Sequence, residues 1–156
     1  MSFESRVSVG AGSKRTKGVV SLEFLMIFPL IIGLVYGAAA YGILFFNKYR
    51  MQLVVDKAAA SVLSLDRRQF DGFSDEAETY SNEVLTALVA QLPADTGGRI
   101  ASQSCTATTE GSIELLVCAL VADGSETPFL PQLNFGFLGT FPPLPSSLKV
   151  SSAIAF

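Results

Sequence analysis

The dominant feature of the hydropathy pattern is residues 19–46, an apolar run with a single charged residue, Glu23. A bilayer core about 30 Å thick takes roughly 20 helical residues at ~1.5 Å each. The run is therefore long enough to span a membrane with a turn or two left over. The period then changes. Met51, Val54, Val55, Ala58, Val62 and Leu65 recur every three or four residues, with Gln52, Asp56, Lys57 and Ser61 mostly on other faces. This predicts an amphipathic continuation of the helix over residues 47–65, whose apolar stripe is the expected seat of a head domain at residues 66–156.

Within the head, residues 66–73 (DRRQFDGF) read as a loop in which Arg67 and Arg68 form a solvated pair. Ser74 is a candidate cap for a second helix, with Asp75, Glu76 and Glu78 placed against its dipole. Ala77, Tyr80, Val84, Leu88 and Gln91/Leu92 keep helical spacing, and Pro93 closes the element. Residues 94–98 read as a turn. Residues 128–145, PFLPQLNFGFLGTFPPLP, are rich in proline and phenylalanine. They predict an irregular but apolar segment, packed on the head or against a neighbour. Residues 148–156 alternate weakly and predict a last strand.

Residues 99–123, RIASQSCTATTEGSIELLVCALVAD, hold two β-rich runs around Gly111-Ser112, an acceptable pair for a two-residue type II′ turn. With that turn Glu110 faces Ile113, Thr109 faces Glu114, and Cys105 falls opposite Cys118. Pairs alternate between hydrogen-bonded and non-bonded along an antiparallel ladder. The count puts the cysteines on a non-bonded pair and predicts a Cys105–Cys118 cross-strand disulfide, which needs an oxidising compartment. Two unpaired buried thiols are the alternative, and a turn centred on Glu110-Gly111 would shift the register. The expected fold class is α+β: a long N-terminal transmembrane helix, then a small head with a second helix and an antiparallel hairpin or sheet.

Composition narrows the chemistry. The chain has no His, no Trp and two Cys, which removes most nucleophile–base pairs and leaves no zinc or haem site. Asp75, Glu76 and Glu78 are accounted for by a first helical turn, and Asp123 with Glu126 matches no calcium-loop spacing. No catalytic constellation emerges and no cofactor is expected. The formal charge of −3 hides an asymmetry: residues 1–18 carry Arg6, Lys14, Arg15 and Lys17 against Glu4, a net +3, and the remainder is −6. An acidic body argues against a nucleic-acid partner. The basic leader, set against Lys48 and Arg50 after the run, favours a cytoplasmic N-terminus.

Three readings of the apolar run follow. A secretory signal peptide could be cut near Ala40, where Ala38-Ala39-Ala40 offers a small-x-small site. It would release a periplasmic or surface binding module beginning near Tyr41. Its core, however, exceeds the usual ~7–15 residues, and the apolar run continues to Phe46. A plain single-pass anchor needs no role for Gly18 or Glu23. The third reading rests on a motif. A basic leader ends in Gly18, and Glu23 is then the fifth residue counted from Val19, followed by Phe24.

The sequence G-VVSL-EF resembles the cleavage motif of Flp/Tad-branch type IVb prepilins. The stretch EFLMIFPLIIGLVYGAAAYGILFFNKYRMQLVVDKAAASVL resembles the TadE/TadF family of minor pilins or pseudopilins. Shared features are Glu23-Phe24, Pro29 six residues after the Glu, glycines in mid-helix, the Tyr41-Gly42 step and an Ala-rich continuation. The resemblance covers about residues 14–63, and Ala40 stands where many relatives carry an acidic residue. It implies a chain of four parts: leader 1–18, transmembrane helix 19–46, continuation 47–65 and periplasmic head 66–156.

It also implies cleavage by a prepilin peptidase between Gly18 and Val19, and a place in the bacterial inner membrane. The implied partners are other minor pilins, the major Flp pilin, the inner-membrane assembly platform and the lipid bilayer. The implied role is in pilus biogenesis, adherence and biofilm formation. Glu23 lies at i+4 from Val19, on the same helix face, so its carboxylate can pair with the new amine of its own or a neighbouring subunit. Pro29 is expected to kink the helix. Gly33-x3-Gly37 and Ala38-x3-Gly42 are small-x3-small patterns that allow close helix packing; ordinary membrane-helix glycine content explains them equally well.

Overall fold

The computed structural model describes residues 17–126, 128–134 and 136–156; the leader assigned to residues 1–18 falls outside them up to residue 16. The architecture is α+β, as the pattern predicts. A helix α1 covers Lys17–Ala60, α2 covers Phe73–Val89, and a single helical turn α3 covers Ala94–Gly97. Strands β1 (Ile100–Glu110), β2 (Ile113–Asp123) and β5 (Ser147–Ala155) form an antiparallel sheet in the order β1-β2-β5. Between β2 and β5, the short β3 (Leu133–Asn134) and β4 (Thr140–Phe141) pair as a second, two-stranded sheet. The chain divides into two units, residues 1–36 and residues 37–156.

In the second unit, the helix buries Leu44, Met51, Val54, Val55, Ala58 and Ala59, and Val62 follows in the next turn. These residues share one core with Leu116, Cys118, Leu120 and Ala122 of β2, Leu148 and Val150 of β5, and Ala77 and Leu85 of α2. The period-2 burial along β2 meets the helical period of α1, which is the ordinary way an antiparallel sheet covers one face. Each fully buried leucine contributes roughly 1.5–3 kcal/mol relative to exposure. The α-helix ends where serines take over: Ser61 Oγ donates to Ala58 O and Ser64 Oγ to Ser61 O, each at 2.7 Å. Such back-bonding competes with the helical ladder, and Ser61–Ser64 tightens into a 3-10 turn.

The second helix begins one residue before the expected cap. Its N-cap position is Gly72, and Ser74 lies inside the first turn with its hydroxyl 3.4 Å from Glu114 Oε1. Phe73 is drawn into the helix because its ring packs on Phe156, centroids 5.4 Å apart. Nor is Arg67 merely solvated: its Nη2 donates to Glu114 Oε2 and to Phe156 O, both at 2.8 Å. Its guanidinium also lies 5.2 Å and 5.5 Å from the Phe73 and Phe156 rings.

The hairpin has the register Glu110↔Ile113 through Cys105↔Cys118. Gly111 takes φ +67° while no described non-glycine residue has positive φ, which fits a type II′ turn and not type I′. The cysteines are joined, with Cα atoms 3.9 Å apart. Cys105 N–H donates to Asn82 Oδ1, and Asn82 Nδ2 donates to Cys105 O, both at 2.8 Å. Both backbone groups of Cys105 thus point away from β2, as a non-hydrogen-bonded pair requires.

Asn82 here imitates a neighbouring strand. Glu78 Oε2 extends the imitation by accepting from Ala107 N–H at 2.9 Å. On the other side of the sheet, Gln52 Nε2 of α1 donates to Ser151 O of β5 at 3.1 Å. Open edges invite pairing with other chains, and helix side chains occupy part of each edge here.

Two outcomes test this account. Asn82→Ala leaves the outward backbone groups of Cys105 unpaired and should lower unfolding free energy by about 1–3 kcal/mol. The readout is denaturation of the full chain in detergent. The exposed neighbour Glu83→Ala should stay within about 0.5 kcal/mol, and equal effects would show that Asn82 does not hold the edge. Separately, unreduced native protein should resist thiol alkylation. The double variant Cys105→Ala/Cys118→Ala should lose about 3 kcal/mol; labelling of both thiols without reductant would rule the pairing out.

Candidate functional site

The residues that carry the sequence motif lie at the start of α1. Gly18 and Val19 fall in its first turn, and Glu23 follows Val19 by four helical residues, so the two positions share a face. Residues 21–32 are exposed all round. Leu22, Phe24, Leu25, Met26 and Leu30 show their side chains to the surroundings, and the Phe24 and Phe28 rings stack with centroids 5.5 Å apart. A helix that is apolar on every face requires an apolar medium or apolar partners. Residues 21–64, α1 with the turn that follows, are long and apolar enough to cross a membrane. Pro29 sits within the helix.

The glycines have different surroundings. Nothing lies within 4 Å of a Cβ placed at Gly33 or Gly42, so both leave open grooves on the helix. At Gly37 a Cβ would stand 3.2 Å from Phe141 Cζ; that position is filled by the protein's own head. Nearby, Tyr41 Oη donates to Pro143 O at 2.9 Å. The contact between residues 128–145 and the helix could not be read from spacing, because the two segments are about a hundred positions apart.

Away from α1, several carboxylates serve local structure. Asp123 accepts from Ser125 N–H at 2.8 Å and from Ser125 Oγ at 3.0 Å. These bonds, the backbone one foremost, hold its carboxyl below the usual aspartate range. Among the described residues, no group of three or more His, Cys, Asp or Glu side chains is placed to hold a metal ion. What the start of α1 offers is a helix surface with one carboxylate, Glu23, among apolar residues and five positions past Gly18.

No curated protein and no solved structure matches the chain. Residues 18–60 match the family described as TadE-like protein. The match begins at Gly18, takes in Val19, Glu23, Phe24, Pro29, Gly33, Gly37 and Gly42, and ends where the α-helix ends. Over that helix the chain is similar to TadE-like proteins, and the helix is a candidate membrane anchor.

Proposed function

We propose that the protein is a minor pilin or pseudopilin of a Tad (Flp) pilus. In this reading a prepilin peptidase cuts between Gly18 and Val19. The helix stays in the bacterial inner membrane, N-terminus on the cytoplasmic side, until the subunit joins other minor pilins and the major Flp pilin at the assembly platform. The head stands in the periplasm, where oxidising conditions suit the Cys105–Cys118 bridge. Adherence and biofilm formation follow from the assembled pilus.

One observation carries the reading. Glu23 is the sole charged residue between Lys17 and Lys48, and it sits five residues past Gly18 within the TadE-like match. A carboxylate inside a bilayer costs roughly 2.5–3.5 kcal/mol near the centre and less near an end. The amine freed at Val19 offers it a partner one helical turn away, and a paired charge is far cheaper than a lone one. Between packed helices, such a pair favours a single axial register.

The secretory alternative fits less well. Ala40 is buried, and a cut there would remove Gly37, on which Phe141 rests.

Mass spectrometry of the chain from native membranes should show an N-terminus at Val19 when the peptidase is active and an uncut leader when it is not. A start near Tyr41 would mean an exported module, and an uncut chain beside active peptidase a plain anchor. Glu23→Ala should be cut normally yet fail to enter pili, measured as loss of the subunit from sheared surface fractions. Normal incorporation of that variant would remove the proposed role of Glu23.

A further inference from the structure

From residue 127 to residue 148 the chain contains no charged residue; Glu126 and Lys149 bound the interval. The described part of this segment is built and not slack. Leu133 pairs with Phe141 and Asn134 with Thr140. Gln132 Nε2 donates to Pro142 O at 2.8 Å, and Asn134 Oδ1 accepts from Gly136 N–H at 2.8 Å. The amide side chains are therefore partnered within the segment, which lowers the cost of moving them out of water.

The segment is fastened to a particular part of α1. Phe141 covers Gly37, and Pro143 O takes the Tyr41 hydroxyl. That stretch of helix is itself uncharged: no Asp, Glu, Lys or Arg occurs between Glu23 and Lys48. Around it Ile43, Phe45 and Phe46 are exposed, and the first cations after it are Lys48 and Arg50. A bilayer core takes roughly 20 helical residues; counted from Val19, the count runs out at Ala38, inside the stretch that the segment covers.

At the tip, Phe137 is 95% exposed and Leu133 49% exposed. A phenylalanine held wholly in water on an uncharged hairpin is costly, and the cost is removed if the tip meets an apolar medium.

We infer that residues 128–145 form a second membrane contact: the hairpin enters the boundary between headgroups and acyl chains of the bilayer that α1 spans, with Phe137 and Leu133 in lipid. The inference rests on the membrane-anchored reading of α1. The absence of charge, the internally partnered amides and continuity with the apolar helix all select lipid as the occupant. A short irregular hairpin leaves backbone groups that need water, so the insertion is shallow.

The test uses the full chain reconstituted into phosphatidylethanolamine/phosphatidylglycerol vesicles, made with or without brominated acyl chains. An environment-sensitive fluorophore is attached at Phe137→Cys, at Leu133→Cys, at Ile31→Cys in the helix, or at Thr106→Cys on β1. The native cysteines are paired and stay unlabelled. Labels at 137, 133 and 31 should lose emission in brominated vesicles and resist aqueous iodide, while the label at 106 should behave oppositely.

If 31 is quenched by brominated lipid but 137 and 133 are quenched only by iodide, the membrane reading stands and the lipid contact is overturned. Shielding of 137 and 133 from both quenchers means a protein neighbour covers the tip and overturns it equally. If 31 also escapes the brominated lipid, the anchor reading fails and this inference fails with it.

Discussion

Met51, Val55, Ala58 and Val62 repeat on one face of α1, and water is a poor medium for that face. The head exists to cover it. β2 supplies Leu116, Cys118 and Leu120 from the centre of the sheet, and α2 closes the side with Ala77 and Leu85. Neither helix nor sheet would be stable alone: a three-stranded sheet needs a covered face, and a helix needs somewhere to put its stripe. The same physics operates along residues 21–32, where no side of the helix is polar enough for water. Within one family-matched stretch, then, the demand for an apolar environment is general at first and confined to a single face later.

The sheet shows how a small head keeps its own strands from pairing with those of other copies. Asn82 supplies one donor and one acceptor to Cys105, as a fourth strand would. Glu78 adds an acceptor for Ala107. The helix thus packs on β1 and partly finishes its edge. Cys105 is held from three directions: covalently by Cys118, by the amide of Asn82, and by burial. In an assembly of crowded subunits, a blocked edge favours association through helices over association through sheets.

Much of this was legible in the residues, for identifiable reasons. The hairpin register follows from Gly111-Ser112, because a two-residue turn permits one pairing, and Cys105 then meets Cys118. The amphipathic continuation of α1 follows from period alone. What escaped were long-range contacts. Ser74 looks like a cap until Phe156, far along the chain, packs against Phe73 and starts the helix earlier. Arg67 looks solvated until Glu114 and the backbone of Phe156 come to it. Asn82 has the appearance of any polar helix residue. The irregularity and apolar character of residues 128–145 were visible, whereas their attachment at Gly37 and Tyr41 depended on topology.

The two longest uncharged intervals, residues 24–47 and 127–148, are far apart in sequence, yet Phe141 and Pro143 of one meet Gly37 and Tyr41 of the other. Near them ionic groups resume: Lys48 and Arg50 follow on α1, with the Arg50 guanidinium 4.3 Å over the Phe46 ring, and Lys149 follows on β5. A soluble head has no need to match the end of its uncharged loop to the end of an uncharged helix. Near a bilayer the match has a use, since any charge in either interval would have to be dragged out of water when the other was seated. Gly37 matters on the same grounds. A Cβ there would stand 3.2 Å from Phe141 Cζ, so the ring that ties the loop to the helix would have to shift by a few tenths of an ångström.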